Sequence, residues 1–357
     1  MTQVSHPIGI LYEHPQWFTP LFAELDRRGV DYMPIDASDP AFDPEGSGRQ
    51  YQLMVNRMSP SAWTRGNGDA IPRTREYLRY LEAVGTEIVN GSRAFEYEIS
   101  KIRQLDLLAD LGVRFPAGRT VTDSSEVVDA SDGLQFPVLI KPDLGGSGAG
   151  IRSFASLEEL EAAVRSGDLN GLSADDPALI QEHLPAEGES IVRVEILDGE
   201  FLYAIRLQLL PGSFNLCPAD YCDLPGIADG VSGRGLPVEG YDPPGDVIEE
   251  AKRIVAAAGM DLGGVEYLVN ARDNQPYFYD INALSNFVAD APHVIGFDPF
   301  VDLVDFIVER AETTRSGKVA ASSSRKLAPH VRSAETVDIA SATFELSHPV
   351  VPASTTL

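Results

Sequence analysis

The sequence predicts an α/β fold, α+β in parts, in which a small N-terminal α/β domain precedes a larger region rich in antiparallel strands. Three observations carry this. Apolar strand patterns alternate with helix patterns over roughly the first 95 residues. Two long β-rich runs, 191–210 and 264–282, each fold back at a polar tip. The chain has 357 residues, 43% of them hydrophobic and 23% charged, which is length and apolar content enough for two or three domains around a sizeable core.

The first unit reads strand–helix–strand. Pro7 to Tyr12 is a short apolar run, Trp17, Leu21, Phe22 and Leu25 recur at helical spacing, Gly29 stops that helix, and Val30 to Ile35 is the next strand. No G-x-G-x-x-G follows the first strand, so the dinucleotide fingerprint is absent. A Pro/Gly/Asp/Ser loop fills 37–50, and Tyr51 to Met58 is a strand. A helix holding Tyr77, Leu78, Leu81 and Val84 ends at Gly85, and Thr86 to Val89 is another strand. Residues 96–112 read as one helix, with Ile102, Leu105, Leu108 and Ala109 on a face and Gly112 as its stop. Short strands at 136–141 and 151–154, a helix at 157–164 and a strand at 178–184 follow. The run 191–210 turns at Asp198-Gly199, a dipeptide suited to a tight hairpin. A helix at 244–258 precedes the hairpin 264–282, and a helix at 299–311 shows Phe300, Val301, Val304, Ile307 and Val308 on one face. From Ser316 the chain turns Ser/Ala/Thr-rich, and 316–357 reads as a weakly ordered or docking tail.

Charge narrows the partners. Asp and Glu number 54 against 28 Lys and Arg, a net charge of −26. Such a surface repels phosphate backbones and anionic membranes, so neither nucleic acid nor membrane is expected as a partner. The absence of a long apolar run and of a secretory leader pattern points to the cytoplasm. Cys217 and Cys222 fit no common zinc spacing and make no disulfide framework. Only five lysines occur, Lys101, Lys141, Lys252, Lys318 and Lys326, so a lysine retained beside a glycine-rich loop needs a reason.

That lysine is Lys141. A β-rich run, Phe136 to Ile140, ends on it, and Gly145, Gly146, Ser147, Gly148 and Gly150 follow. Glycine lets backbone N–H groups approach an anion, and because the lysine precedes the glycines this is no Walker A loop. The bland alternative is a flexible hairpin tip. In the hairpin 264–282, a turn near Asp273 sets Glu266 nearly opposite Asp280, and strand alternation places Asp280 and Asn282 on one face that Glu266 can share. Two carboxylates and an amide oxygen there call for a cation, and hard oxygen ligands suit Mg²⁺, with Mn²⁺ as an alternative. The bland alternative is a solvated edge hairpin. The segment Gln181-Glu182-His183-Leu184 ends a strand in a polar turn able to offer a backbone donor and acceptor to a purine edge, with Glu189 beyond it for ribose hydroxyls. An acidic surface turn would look the same.

In this order the motifs resemble the ATP-grasp superfamily, over roughly residues 86–310. The resemblance implies the two-subdomain ATP-grasp fold: a preceding α/β domain over 1–95, a lid or central subdomain over 96–185 and a C-terminal subdomain over 186–315. It implies Lys101 and Lys141 as the nucleotide lysines and Gly145 to Gly150 as the phosphate-covering loop. Gln181, Glu182, His183 and Leu184 would take the adenine, Glu189 the ribose, and Glu266, Asp280 and Asn282 the metal. Within the superfamily the chain is most similar to the glutathione synthase and ribosomal protein S6 modification-type ligases, in which arginines like Arg193 and Arg206 and an asparagine like Asn215 follow the ribose carboxylate. It departs from them in having Glu266 first and Asp280 second, and in Leu284-Ser285-Asn286-Phe287 after the triad asparagine.

The implied activity is an ATP-dependent carboxylate–amine ligation through an acylphosphate, releasing ADP and phosphate. The substrates would be small molecules, an amino acid, a peptide or a carrier-bound group, handled by a homodimer. Arg206, with Arg193, would hold the reacting carboxylate in a bidentate fork. Tyr12 and Glu13, at a strand's carboxyl end, and Arg57, ending a later strand, are further substrate candidates, because ligands of open α/β sheets gather there. Two rival readings are an ATP-grasp phosphotransferase and a nucleotide-binding regulatory protein without turnover.

Overall fold

The computed structural model describes residues 7–39, 51–146, 148–169, 177–209 and 237–325, with side chains to residue 314. The chain forms two compact units, Met1–Ser316 and Gly317–Leu357. Of the second, the described part is the end of one long helix. The first contains three sheets.

The N-terminal sheet is parallel, in the order β2-β1-β3-β4, with β1 Ile8–Tyr12, β2 Tyr32–Asp36, β3 Leu53–Arg57 and β4 Ile88–Val89. Every residue of β3 is buried because helices cover both faces. On one face, Ile8, Ile10, Leu53 and Val55 pack with Leu21 and Leu25 of α1, Thr19–Arg27. On the other, Leu11 and Met54 pack with Tyr77, Leu78 and Leu81 of α2, Ala70–Ala83. The α1 side does not end at this domain. Its core runs on into Leu284 and Phe287 and into Leu303, Val304 and Ile307 of the helix α9, Pro299–Arg325.

The middle sheet is antiparallel, in the order β5-β8-β6-β7, with β5 Gly118–Val121, β6 Val138–Pro142, β7 Arg152–Phe154 and β8 Ala178–Glu182. Val138, Ile140, Ala178 and Ile180 turn to a core closed by α5, Val127–Ala130, and α6, Leu157–Ser166. Alternation therefore sends Leu139, Lys141, Leu179 and Gln181 to the opposite face.

The third sheet is antiparallel, in the order β11-β10-β9-β12-β13, with β9 Ser190–Leu197, β10 Glu200–Gln208, β11 Val238–Gly240, β12 Leu262–Asn270 and β13 Gln275–Asn282. Asp198 and Gly199 both take positive φ between β9 and β10, the conformation a two-residue hairpin turn requires. Val192, Val194, Ile196, Val265 and Phe278 pack against Val247, Ala251, Ile254 and Val255 of α7, Gly245–Ala258.

Where one helix is expected over 96–112, there are two, α3 Ser92–Glu98 and α4 Lys101–Asp110. Ser100 is extended, and its hydroxyl accepts from the Arg103 N–H, a side-chain cap that starts a new helix. The break makes Lys101 the first residue of α4. The strand expected over 178–184 stops at Glu182. The helix expected over 299–311 continues to Arg325, into the segment expected as a tail, and residues 326–357 lie outside the described ones. A 3-10 turn over Pro60–Arg65, β11 and a short helix α8, Ala291–Val294, carry no clear periodic signal in the sequence. Among the described residues, no helix is long and apolar enough to cross a membrane.

Candidate active site

A cavity of about 740 Å³ opens between the free faces of the middle and third sheets. The strand ends and loops around it are occupied by residues of separate motifs. Lys141, on β6, is buried at 7% exposure, and its Nζ donates to Gln181 Oε1 at 2.8 Å and stands 5.6 Å over the Tyr279 ring. Gln181 Nε2 donates in turn to the Pro116 carbonyl at 3.1 Å, so this amide is committed to holding Lys141. Burial, with the charge of Lys101 adding to it, pulls the Lys141 ammonium down to about 8. Gly145, Gly146, Gly148, Glu182, Leu184 and Glu189 also line the cavity. His183 lines it too, its imidazole lowered by burial and by Lys141. Glu189 has φ 49°, and the Gln208 amide bonds the Gly188 and Glu189 carbonyls at 3.1 and 2.7 Å to brace that turn.

The opposite wall is the β12–β13 hairpin. Glu266 pairs with Asp280 and Gly264 with Asn282, and a bulge inserts Tyr279 so that Tyr279 and Asp280 both reach the cavity. The Lys101 ammonium bonds Asp280 Oδ1. Burial would raise the Asp280 carboxyl, but Lys101 outweighs it and the pKa ends below its ordinary value. Burial first, then the charge of Asp280, push Glu266 up to about 7 against the pull of Arg193. Among the described residues, no cluster of three or more His, Cys, Asp or Glu gathers as a ligand set. What this face offers is two carboxylates and an amide, hard oxygen donors that fit Mg²⁺ beside phosphate, with Lys101 and Arg193 meeting the two carboxylates.

Arg193, on β9, is cross-strand from Glu266. It donates to Glu195 Oε1 at 2.6 Å, to Glu266 Oε1 at 3.3 Å and to Ser285 Oγ at 3.2 Å, and it lines the cavity. Glu98, which the sequence analysis does not single out, is also in the wall; its Oε2 accepts the N–H groups of Ala283 and Leu284, fixing the chain just past Asn282. Trp17, Ser59 and Asn286 complete the rim, and Trp17 and Asn286 also face a smaller apolar cavity of about 180 Å³ beside it. The glycine-rich loop reaches the N-terminal domain here. A Cβ on Gly146 would stand 2.7 Å from the Ser61 Cβ and 2.9 Å from the Ser61 nitrogen, so no larger residue fits without displacing that turn.

No family profile matches the chain. It is similar to a probable alpha-L-glutamate ligase of Aliivibrio fischeri (strain MJ11), 25% identical over 290 residues that cover 80% of this chain and 86% of the relative. A second, from Pseudoalteromonas translucida (strain TAC 125), is 25% identical over 331 residues, 87% and 97% of the two chains. Among solved structures, D-alanine–D-alanine ligase from Bacillus anthracis superposes with a TM-score of 0.63 at 17% identity, covering 88% of this chain and all of that one. The ATP-grasp ligase PsnB, complexed with Mg, ADP and a phosphomimetic variant of its minimal precursor, gives 0.60 at 18% identity, covering 85% and 98%. The fold is ATP-grasp.

Not every expected residue of this ATP-grasp-folded chain reaches the cavity. Arg206 does not: it is cross-strand from Val192, which faces α7, whereas Arg193 is cross-strand from Ile205. Arg206 therefore lies on the far side of the sheet, over the Tyr241 ring at 3.9 Å and 3.3 Å from Glu239. Tyr12 packs edge-on against Phe18 and Phe22, away from the cavity lining. Glu13 is buried, with both oxygens taken by Arg65 and one also by Asn67, and Arg65 in turn lies 4.8 Å over Trp17. Arg57 is buried behind the wall, bonded to the Ser285 carbonyl and 5.4 Å from the Phe18 ring. None of these three lines the cavity. Ser147, Asn215, Cys217 and Cys222 lie outside the described residues.

The lowered Lys141 sets an expected pH dependence. In the folded protein this ammonium begins to deprotonate near 8, below its value in the unfolded chain, so its burial penalty is fully present below that pH and is relieved as pH rises through it. A triphosphate held against Lys141 would favour the charged form and restore the proton. Nucleotide binding at pH 8 and above should therefore take up a proton, and affinity should fall between about pH 7 and about pH 9. Calorimetric titration with AMPPNP in buffers of different ionisation enthalpy measures the uptake, and Lys141→Met should remove this component.

Proposed function

We propose that the chain is an ATP-dependent carboxylate–amine ligase, forming an amide bond and releasing ADP and phosphate. The observation that carries this reading is the convergence of two lysines, a glycine-rich loop and the Glu266–Asp280–Asn282 face on one cavity, with a second cavity alongside for substrate. Lys101 and Lys141 would meet the triphosphate, and the glycine loop would cover it with backbone N–H groups. Glu182 to Leu184 would hold the adenine and Glu189 the ribose. Glu266, Asp280 and Asn282 would hold Mg²⁺, or Mn²⁺ in its place, which neutralises charge on the phosphates when bound. Arg193, which lines the cavity where Arg206 does not, would meet a reacting carboxylate and the negative charge that gathers on the acyl group.

The chemistry is a two-step displacement. A carboxylate oxygen attacks the γ-phosphorus and the bond to ADP breaks. An amine nitrogen then attacks the acyl carbon, phosphate leaves with the carbon–oxygen electrons, and the amine gives up a proton. The relatives' names put glutamate among the substrate candidates, and PsnB complexed with its precursor peptide adds a peptide; for this chain we propose an amino acid or a peptide end as substrate. The test is ADP release with Mg²⁺ATP against pools of carboxylates and amines, with mass spectrometry of the products. A product whose mass equals acid plus amine less water is expected. A phosphorylated hydroxyl compound would instead establish a kinase.

A further inference from the structure

Lys101 has an unfavourable address. It is the first residue of α4, where the helix dipole is positive and the backbone N–H groups lack intrahelical partners. One residue just past the other lysine's strand takes up two of those N–H groups. Asp143 follows Lys141 by two residues, at the exit of β6. Its Oδ1 accepts the Ile102 N–H at 2.8 Å and the Ser100 hydroxyl at 3.0 Å, while its main-chain oxygen accepts the Lys101 N–H at 3.2 Å. Its own N–H donates to the Pro177 carbonyl at 3.0 Å, which ties the segment to the approach of β8. The contact continues one step into the glycine loop, where a Cβ on Gly145 would stand 3.3 Å from Lys101 Cε.

We propose that Asp143 is a positioning residue that fixes the Lys101 ammonium relative to Lys141 and the glycine loop. It locks the first turn of α4 to the β6 exit by accepting the Lys101 and Ile102 N–H groups, while Asp280 meets the ammonium itself. Asp143 does not line the cavity, so its action on a nucleotide would run through Lys101. This rests on the nucleotide-site reading above, and the test separates the two.

The test is a double-mutant cycle on AMPPNP affinity, measured with Mg²⁺ by calorimetry on the full chain. Lys101→Ala is expected to weaken binding, and Asp143→Ala to weaken it about five- to tenfold, the size of a lost cap that also frees a charged ligand group. In the Lys101→Ala background, Asp143→Ala should cost less than about twofold, because the group it positions is gone. Asp143→Asn keeps the acceptor oxygen and should recover most of the affinity. A general loss of structure would lower Tm alike in both backgrounds without coupling the affinities. Should Asp143→Ala fail to fold, Ser100→Ala replaces it, with the same non-additivity expected. Independent, multiplicative losses, or wild-type affinity in Asp143→Ala, overturn the assignment of Asp143. Wild-type affinity in Lys101→Ala overturns the nucleotide-site reading instead.

Discussion

Asp280→Asn should lower turnover by about 10²-fold or more while leaving the chain folded. The substitution keeps the side chain's shape and one oxygen, but removes the charge that Asp280 shares with Glu266 and that Lys101 meets. Asp280 is the carboxylate of the pair that stays ionised, held below its ordinary pKa by Lys101, whereas Glu266 is pushed up. In the proposed metal site, loss of the Asp280 charge would leave a divalent ion short of one anionic ligand. ADP release by a purified variant with unchanged thermal unfolding measures the effect. Near wild-type release would remove Asp280 from the metal site.

Arg193→Ala should do something different, a loss of stability of about 3–5 kcal/mol, because it strands two buried carboxylates. Glu195 is 1% exposed and has Arg193 as its ion-pair partner, and Glu266 is 6% exposed. Urea unfolding would show the shift in midpoint. Arg206→Ala, made in parallel, should move stability by no more than about 1 kcal/mol, since its Glu239 pair is solvent-exposed. It should also leave ADP release unchanged, having no place in the cavity. Equal effects at the two positions would contradict the sheet faces described above.

That contrast marks where the sequence stops being legible. Period-two alternation groups Arg206 with Gln208, but it leaves open which group faces the cleft; α7 decides that by covering Val192 and Val194. In the β12–β13 hairpin the ambiguity does not arise, because the polar residues are themselves the signal in apolar strands. The opposition of Glu266 and Asp280 follows from the turn position alone, though the bulge at Tyr279 is not visible in the pattern. Glu13 misleads for another reason. Its position just past β1 is legible, but its partners, Arg65 at the end of a 3-10 turn and Asn67 just beyond it, come from a segment without a periodic pattern, more than fifty residues on. The break at Ser100 is hidden because apolar residues run on either side of it, from Phe95 to Leu108, while the carboxylate that completes the new helix start comes from position 143.

The core on the α1 side of the N-terminal sheet has a consequence for modularity. Ile10, Leu21, Leu25 and Val55 share one apolar cluster with Leu284, Phe287 and Ile307. A chimera that takes its first 95 or so residues from another ligase would inherit a foreign half of that cluster, with cavities or clashes at the seam. Exchange of the N-terminal region thus requires the partner residues after Asn282 and along α9 to be exchanged with it, so the N-terminal region is inherited with a distant matching segment rather than as a transferable cassette.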